Sequence, residues 1–131
     1  MTNALIYATT LLTKGNADVA KYIASYSNSD IFDLKELSTL NLGMYDAIIV
    51  GTANNGGKAD KIVTEFVQKN QSSLEGKKRC LYVLSSKDDE KSTEQAKAIG
   101  QELGFQDVFL IPKKRDSEGF TMAVEKMISS L

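Results

Sequence analysis

The 131-residue chain has no histidine and no tryptophan, a single cysteine (Cys80) and a single proline (Pro112). The lack of histidine excludes Ser-His-Asp and Cys-His nucleophile pairs and removes the commonest metal ligand. One thiol excludes an internal disulfide and a multi-cysteine metal site. Without an indole, no tryptophan can serve as a stacking platform. One Pro and nine Gly are too few for a fibrous or disordered chain. Neither sign of charge dominates. Sixteen Lys and Arg against seventeen Asp and Glu leave a net charge of -1, whereas a nucleic-acid-binding domain carries a clear basic surplus. No apolar run approaches the roughly 20 residues that span a bilayer, and the chain enters a strand pattern without a basic leader or cleavage site. These absences set the expectation of a soluble, cytoplasmic protein with a reduced thiol, no nucleic-acid partner and no membrane insertion.

The composition that remains, 42% hydrophobic and 25% charged, is ordinary for a globular chain. Its length suits one domain over residues 1–131, large enough to bury roughly two thirds of its unfolded surface. Short apolar runs alternate with longer amphipathic ones. Ala4-Leu5-Ile6-Tyr7-Ala8, Ala47-Ile48-Ile49-Val50, Cys80-Leu81-Tyr82-Val83-Leu84 and Val108-Phe109-Leu110-Ile111 read as strands, the last closed by Pro112. Asp30-Ile31-Phe32-Asp33-Leu34 is a weaker one. Helical spacing joins Val19, Ala20, Ile23 and Ala24; then Ile62, Val63, Phe66 and Val67; then Ala96, Ile99 and Leu103. A final helix from about Ser117 places Met122, Ala123, Met127 and Ile128 inward. A long connection between Leu34 and Tyr45 holds a helical turn around Lys35-Glu36-Leu37.

Unbroken apolar strands are buried on both faces, as in a parallel sheet covered by helices. Right-handed crossovers then give a doubly wound α/β domain with five parallel strands. The basic triplets Lys77-Lys78-Arg79 and Lys113-Lys114-Arg115 flank apolar runs and read as solvated strand ends. Asp88-Asp89-Glu90 reads as a loop leading into a helix. Cys80, opening a buried strand, reads as a small core residue.

In such a sheet, ligands bind outside the carboxyl ends of the strands, where the strand order reverses. After strand one comes Thr9-Thr10-Leu11-Leu12-Thr13-Lys14-Gly15-Asn16. Hydroxyls, a lysine and the backbone N–H groups of a helix start suit a phosphate, although Thr13 or Asn16 could equally cap the helix. After strand three comes Thr52-Ala53-Asn54-Asn55-Gly56-Gly57-Lys58, whose backbone can approach a flat ligand closely; a plain turn is the competing reading. After strand four comes the polar run Ser85-Ser86-Lys87-Asp88-Asp89. There is no GxGxxG after strand one and no Gly-Lys-Ser/Thr. With no histidine and no carboxylate cluster beside these loops, chemistry here has to come from a bound cofactor.

Several stretches resemble flavodoxins over the whole length. They are Ala4 to Thr10 with the Gly15-Asn16 helix start, Asp33-Leu34-Lys35-Glu36-Leu37, and Tyr45-Asp46-Ala47-Ile48-Ile49-Val50-Gly51-Thr52. The last two, with Phe66-Val67-Gln68-Lys69-Asn70 and Leu74-Glu75-Gly76-Lys77, are especially similar to the flavodoxin branch related to protoporphyrinogen oxidase. The resemblance implies strand order 2-1-3-4-5 and non-covalent FMN. It assigns the phosphate to Thr9, Thr10, Thr13, Lys14, Gly15 and Asn16. The ring falls between Thr52, Ala53, Asn54, Asn55, Gly56 and Gly57 on one side and Ser85, Ser86, Lys87, Asp88 and Asp89 on the other. The family's usual Ser/Thr-x-Thr-Gly-x-Thr run is altered here: Leu11-Leu12 stands as an insertion, Lys14 takes the Gly position, and the closing Thr is missing. Neither ring loop contains an aromatic. The implied function is FMN-dependent electron transfer to a redox partner protein. The alternatives are a flavodoxin-fold interaction or regulatory domain without the flavin, and a small FMN-dependent oxidoreductase.

Overall fold

The computed structural model describes residues 3–8, 15–36, 40–86, 89–112 and 118–131. In chain order the elements are β1 (Asn3–Tyr7), α1 (Gly15–Ser27), β2 (Ser29–Asp33), β3 (Ala47–Ala53), α2 (Lys61–Lys69), α3 (Gln71–Leu74), β4 (Lys78–Ser85), α4 (Glu90–Leu103), β5 (Val108–Pro112) and α5 (Glu118–Ser129). All four strand pairings are parallel, in the order β2-β1-β3-β4-β5. The expected doubly wound, flavodoxin-like α/β fold is therefore the fold observed.

Every residue of β1 and β3 is buried, and alternate side chains leave by opposite faces. Ala4, Ile6, Ile48, Val50, Leu81 and Val83 pack beneath α2, α3 and α4 through Val63, Val67, Leu74, Ala96, Ile99 and Leu103. Leu5, Tyr7, Ile49, Cys80, Tyr82 and Leu84 meet α1 and α5 through Val19, Ala20, Ile23, Phe120, Val124 and Met127. With both faces covered, polar groups collect at the two ends of the strands.

Some details depart from the sequence reading. In α5 the buried face is set by Phe120, Val124 and Met127, which leaves Met122 outward and 61% exposed. The basic residues at the start of β4 are anchored as well as solvated. Lys77 donates to the Tyr45 carbonyl at 2.6 Å, Lys78 to the Leu131 carbonyl, and Arg79 to the Gly104 carbonyl at 3.3 Å. The triplet at 113–115 lies outside the described residues. Helix α3, which has no periodic apolar signal in the sequence, is one turn long and contributes Leu74 to the core. The connection after β2 makes a turn in which the Glu36 N–H donates to the Asp33 carbonyl at 3.0 Å, and Leu37 lies outside the described residues. Tyr45 then ties the connection back to β2, donating to Asp30 at 2.8 Å and meeting Phe32 edge-on.

One glycine is fixed by close approach. Gly51 pairs with Tyr82 across β3 and β4, and the Tyr82 ring lies across it. A Cβ at position 51 would sit 2.0 Å from the Tyr82 Cζ. Since that ring is wholly buried, it cannot swing aside. Overpacking of this kind costs about 1–3 kcal/mol, so Gly51→Ala is expected to lower the unfolding free energy by that amount, read as a urea midpoint shifted down with an unchanged slope.

Cys80 lies beneath α1 and α5, 1% exposed. Burial, with a smaller contribution from Asp107, pushes its thiol from an ordinary 9.0 up to about 12. The folded state thus keeps a proton that the unfolded state releases first. Its stability contribution is complete below about pH 9 and is lost as pH rises through the folded value. At pH 8 a water-soluble disulfide reagent should label Cys80 only at the rate of unfolding; labelling much faster than unfolding would contradict its burial.

Candidate functional site at the carboxyl ends of the strands

The carboxyl ends of β1, β3 and β4 lie side by side at the middle of one sheet edge. The reversal point where open sheets take ligands lies between β1, whose connection leaves for the face of α1, and β3, whose connection leaves with that of β4 for the face of α2 and α4. Of the expected phosphate residues, Thr9, Thr10, Thr13 and Lys14 lie outside the described residues. Gly15 opens α1. Asn16 is buried in its first turn, and its Nδ2 points back to the Ala8 carbonyl at 3.5 Å. It thereby joins the end of β1 to the start of α1.

The segment after β3 is built around a carboxylate that the sequence reading did not single out. Asp60 is 4% exposed and stands immediately before α2. It accepts from the Ala53 N–H at 3.1 Å and from Asn55 Nδ2 at 2.8 Å. Its own N–H donates to the Thr52 hydroxyl at 2.8 Å. The single Thr52 proton is divided between the Ala53 carbonyl at 3.1 Å and Asp60 Oδ2 at 3.4 Å. Hydrogen bonds to an ionised acceptor are the strong ones, so Asp60 is the post on which the loop is hung.

Between Ala53 and Asp60 the chain makes a tight turn. Asn55 and Lys58 exchange backbone hydrogen bonds at 2.9 and 3.3 Å. Gly56 and Gly57 between them have φ of +64° and +96°. Both central residues of a type I′ turn need such angles, which glycine adopts without strain. Asn54 holds the turn from outside. Its N–H extends the sheet to the Leu84 carbonyl at 2.9 Å, and its Oδ1 accepts from the Gly57 N–H at 2.7 Å. A Cβ at Gly56 would meet nothing within 4 Å, so the outer face of the turn is open to a planar molecule.

The loop after β4 begins at Ser85, which is buried, and Ser86, which is exposed. Lys87 and Asp88 lie outside the described residues. Asp89 caps α4 by accepting from the Ser92 N–H at 2.9 Å, as the acidic run suggested. The chain's ten aromatics all lie elsewhere. Nine are in or against the two cores, and Tyr26 is exposed on α1. A separate cleft of about 460 Å³, lined by Lys69, Glu75, Arg79 and Phe105 among others, opens at the opposite end of the sheet. It shares no residue with these loops.

Residues 13–111 match the family described as Flavodoxin domain, and the chain belongs to that family. Solved structures agree in fold. A flavodoxin from Streptococcus pneumoniae TIGR4 superposes with a TM-score of 0.75 at 13% identity, covering 100% of this chain and 97% of that one. Oxidised flavodoxin 1 from Bacillus cereus gives 0.69 at 17% identity, covering 99% and 97%. Rubredoxin oxygen:oxidoreductase from Desulfovibrio gigas gives 0.68 at 12% identity, with 98% of this chain matched to 34% of that larger one. Among curated protein sequences none matches. No helix among the described residues is long and apolar enough to cross a membrane, and no cluster of His, Cys, Asp or Glu there could hold a metal ion.

The geometry makes Asp60 the residue whose loss disturbs the loop most. Asp60→Ala leaves the Ala53 N–H buried without its acceptor, at a cost of about 1–3 kcal/mol. Urea unfolding should show that loss, and the Ala53 amide should exchange with solvent faster than amides in the middle of β3.

Proposed function

We propose that this chain is a flavodoxin-type electron-transfer protein that binds FMN non-covalently at the carboxyl edge of the sheet. It would exchange electrons there with a redox partner protein in the cytoplasm. The observation that carries the reading is the Asn55–Lys58 turn. It stands at the strand-order reversal, is anchored through Asp60, and presents an open glycine face. The Gly56 N–H has no partner among the described residues and is a donor available to a heteroatom on a ring edge. The residues present therefore fit a planar, hydrogen-bonding cofactor. Membership of the flavodoxin family supports the same choice.

Bound there, FMN would supply one- and two-electron transfer. The chain's own residues bind and orient. Thr52, Ala53, Asn54, Asn55, Gly56 and Gly57 would border the ring on one side, and Ser85, Ser86, Lys87 and Asp88 on the other. The phosphate would take the segment with Thr9, Thr10, Thr13, Lys14, Gly15 and Asn16, whose hydroxyls and helix-start N–H groups suit an anion.

The placement of the aromatics bears on affinity. Neither ring loop offers a stacking partner, and an aromatic pair contributes about 0.5–1.5 kcal/mol beyond its buried area. Two unstacked faces should therefore weaken FMN by about one to two powers of ten relative to a stacked site.

Titration of the purified protein with FMN, followed by flavin fluorescence, should give saturable quenching that prolonged dialysis removes. Thr10→Ala combined with Thr13→Ala should weaken binding further, because it removes two phosphate donors. Absence of quenching by the wild type would instead favour a flavodoxin-fold interaction or regulatory domain. Equal affinity in the double variant would place the phosphate elsewhere.

A further inference from the structure

One side chain from another element reaches the turn. Gln95 lies in the second turn of α4, half-buried. Its Oε1 accepts from Asn54 Nδ2 at 2.9 Å. Its Nε2, Cγ and Cδ are the nearest atoms to where a Cβ on Gly57 would lie, at 3.5 to 3.8 Å. Gln95 thus bonds to the turn through Asn54 and lies over the space beside Gly57. The Asn54 amide is fixed by these partners, with its oxygen on the Gly57 N–H and its nitrogen on Gln95. If the Gln95 contact is removed, Asn54 keeps one side-chain bond and can rotate off the Gly57 N–H.

The helix that carries Gln95 is also the helix capped by Asp89, at the end of the loop after β4. The turn is consequently joined twice to the elements that flank the loop after β4. One link is the Asn54 N–H to the Leu84 carbonyl at the sheet; the other is the Asn54 side chain to Gln95. The open face of Gly56 remains clear. A ligand entering between the loops would meet a turn already held by these bonds, which lowers the ordering cost of binding.

We propose that Gln95 is a positioning residue of the ring site. Acting through Asn54, it fixes the Asn55–Lys58 turn in the shape a planar ligand meets and ties that turn to the helix following the second loop. The proposal rests on the FMN reading for its ligand and on the hydrogen-bond geometry for its mechanism, so the two are tested separately.

The test uses the full chain as wild type, Gln95→Ala and Gln95→Glu, the last keeping an acceptor for Asn54. Amide hydrogen exchange is measured first, without ligand. Loss of one net hydrogen bond corresponds to about a three- to tenfold change in an equilibrium. The Gly57 amide should exchange faster by that factor in Gln95→Ala and near the wild-type rate in Gln95→Glu, while Ile49 and Leu81 in the core stay unchanged in both. A Gly57 rate unmoved in Gln95→Ala, or one that rises only in step with the core, overturns the proposal. FMN is then titrated into all three. A similar fold-loss of affinity in Gln95→Ala, restored in Gln95→Glu, supports it; equal affinity of Gln95→Ala and a wild type that binds overturns it. If Gly57 responds and no variant, wild type included, binds FMN, the flavin reading falls and the role of Gln95 in holding the turn stands.

Discussion

Burial of the central strands on both faces is the constraint from which the rest of the structure follows. Nothing in β1 or β3 reaches solvent through the sheet. Each CH₂ buried there contributes roughly 0.8 kcal/mol, and any unpaired polar group in its place would cost more than that. Helices must therefore cover both faces, and connections must leave from strand ends. The carboxyl ends of β1, β3 and β4, where connections diverge to opposite faces, become the place where backbone groups and polar side chains can meet a ligand.

The same constraint explains the character of the edge. A loop leaving a fully buried strand carries backbone donors straight out of the core. Asp60 returns across five to eight residues to accept from one of them, the Ala53 N–H, and from the Thr52 and Asn55 side chains. A buried carboxylate is tolerated only when its oxygens are well bonded, and here they gather Ala53, Asn55 and Thr52 around one point. Gly56 and Gly57 are left to take the backbone angles of the turn, and Gln95 steadies it from the next helix. The opposite end of the sheet is organised differently. There Lys77, Lys78 and Arg79 fasten the start of β4 to carbonyls of three distant segments.

Much of this was legible in the sequence because its physical signals are local. Doubly buried strands announce themselves as unbroken apolar runs, and the weak reading of Asp30-Ile31-Phe32-Asp33 matches an edge strand with exposed residues. The Asn-Asn-Gly-Gly run reads either as a loop that approaches a flat ligand or as a plain turn, and in the structure it is a tight turn. The inward face of α5 was set too wide: Met122 lies two positions from both Phe120 and Val124, which turns it to the far side of a 3.6-residue helix. Asp60 and Gln95 were missed for a different reason. Their roles rest on partners brought together by the fold, with 41 residues separating Asn54 from Gln95, and neither residue type is unusual where it stands. The basic triplet at the start of β4 looked like ordinary surface because its acceptors are backbone carbonyls, which leave no trace in a sequence.

The central claim is that a planar cofactor sits at the carboxyl edge, between the loops after β3 and β4. The most direct measurement is a two-dimensional amide NMR spectrum of the labelled chain recorded as FMN is added. The account predicts shifts concentrated at Asn54, Gly56, Gly57 and Ser86, with Arg79 and Phe105 at the far end unmoved. Shifts centred on that far cleft, or none at the turn when flavin fluorescence is quenched, would contradict it.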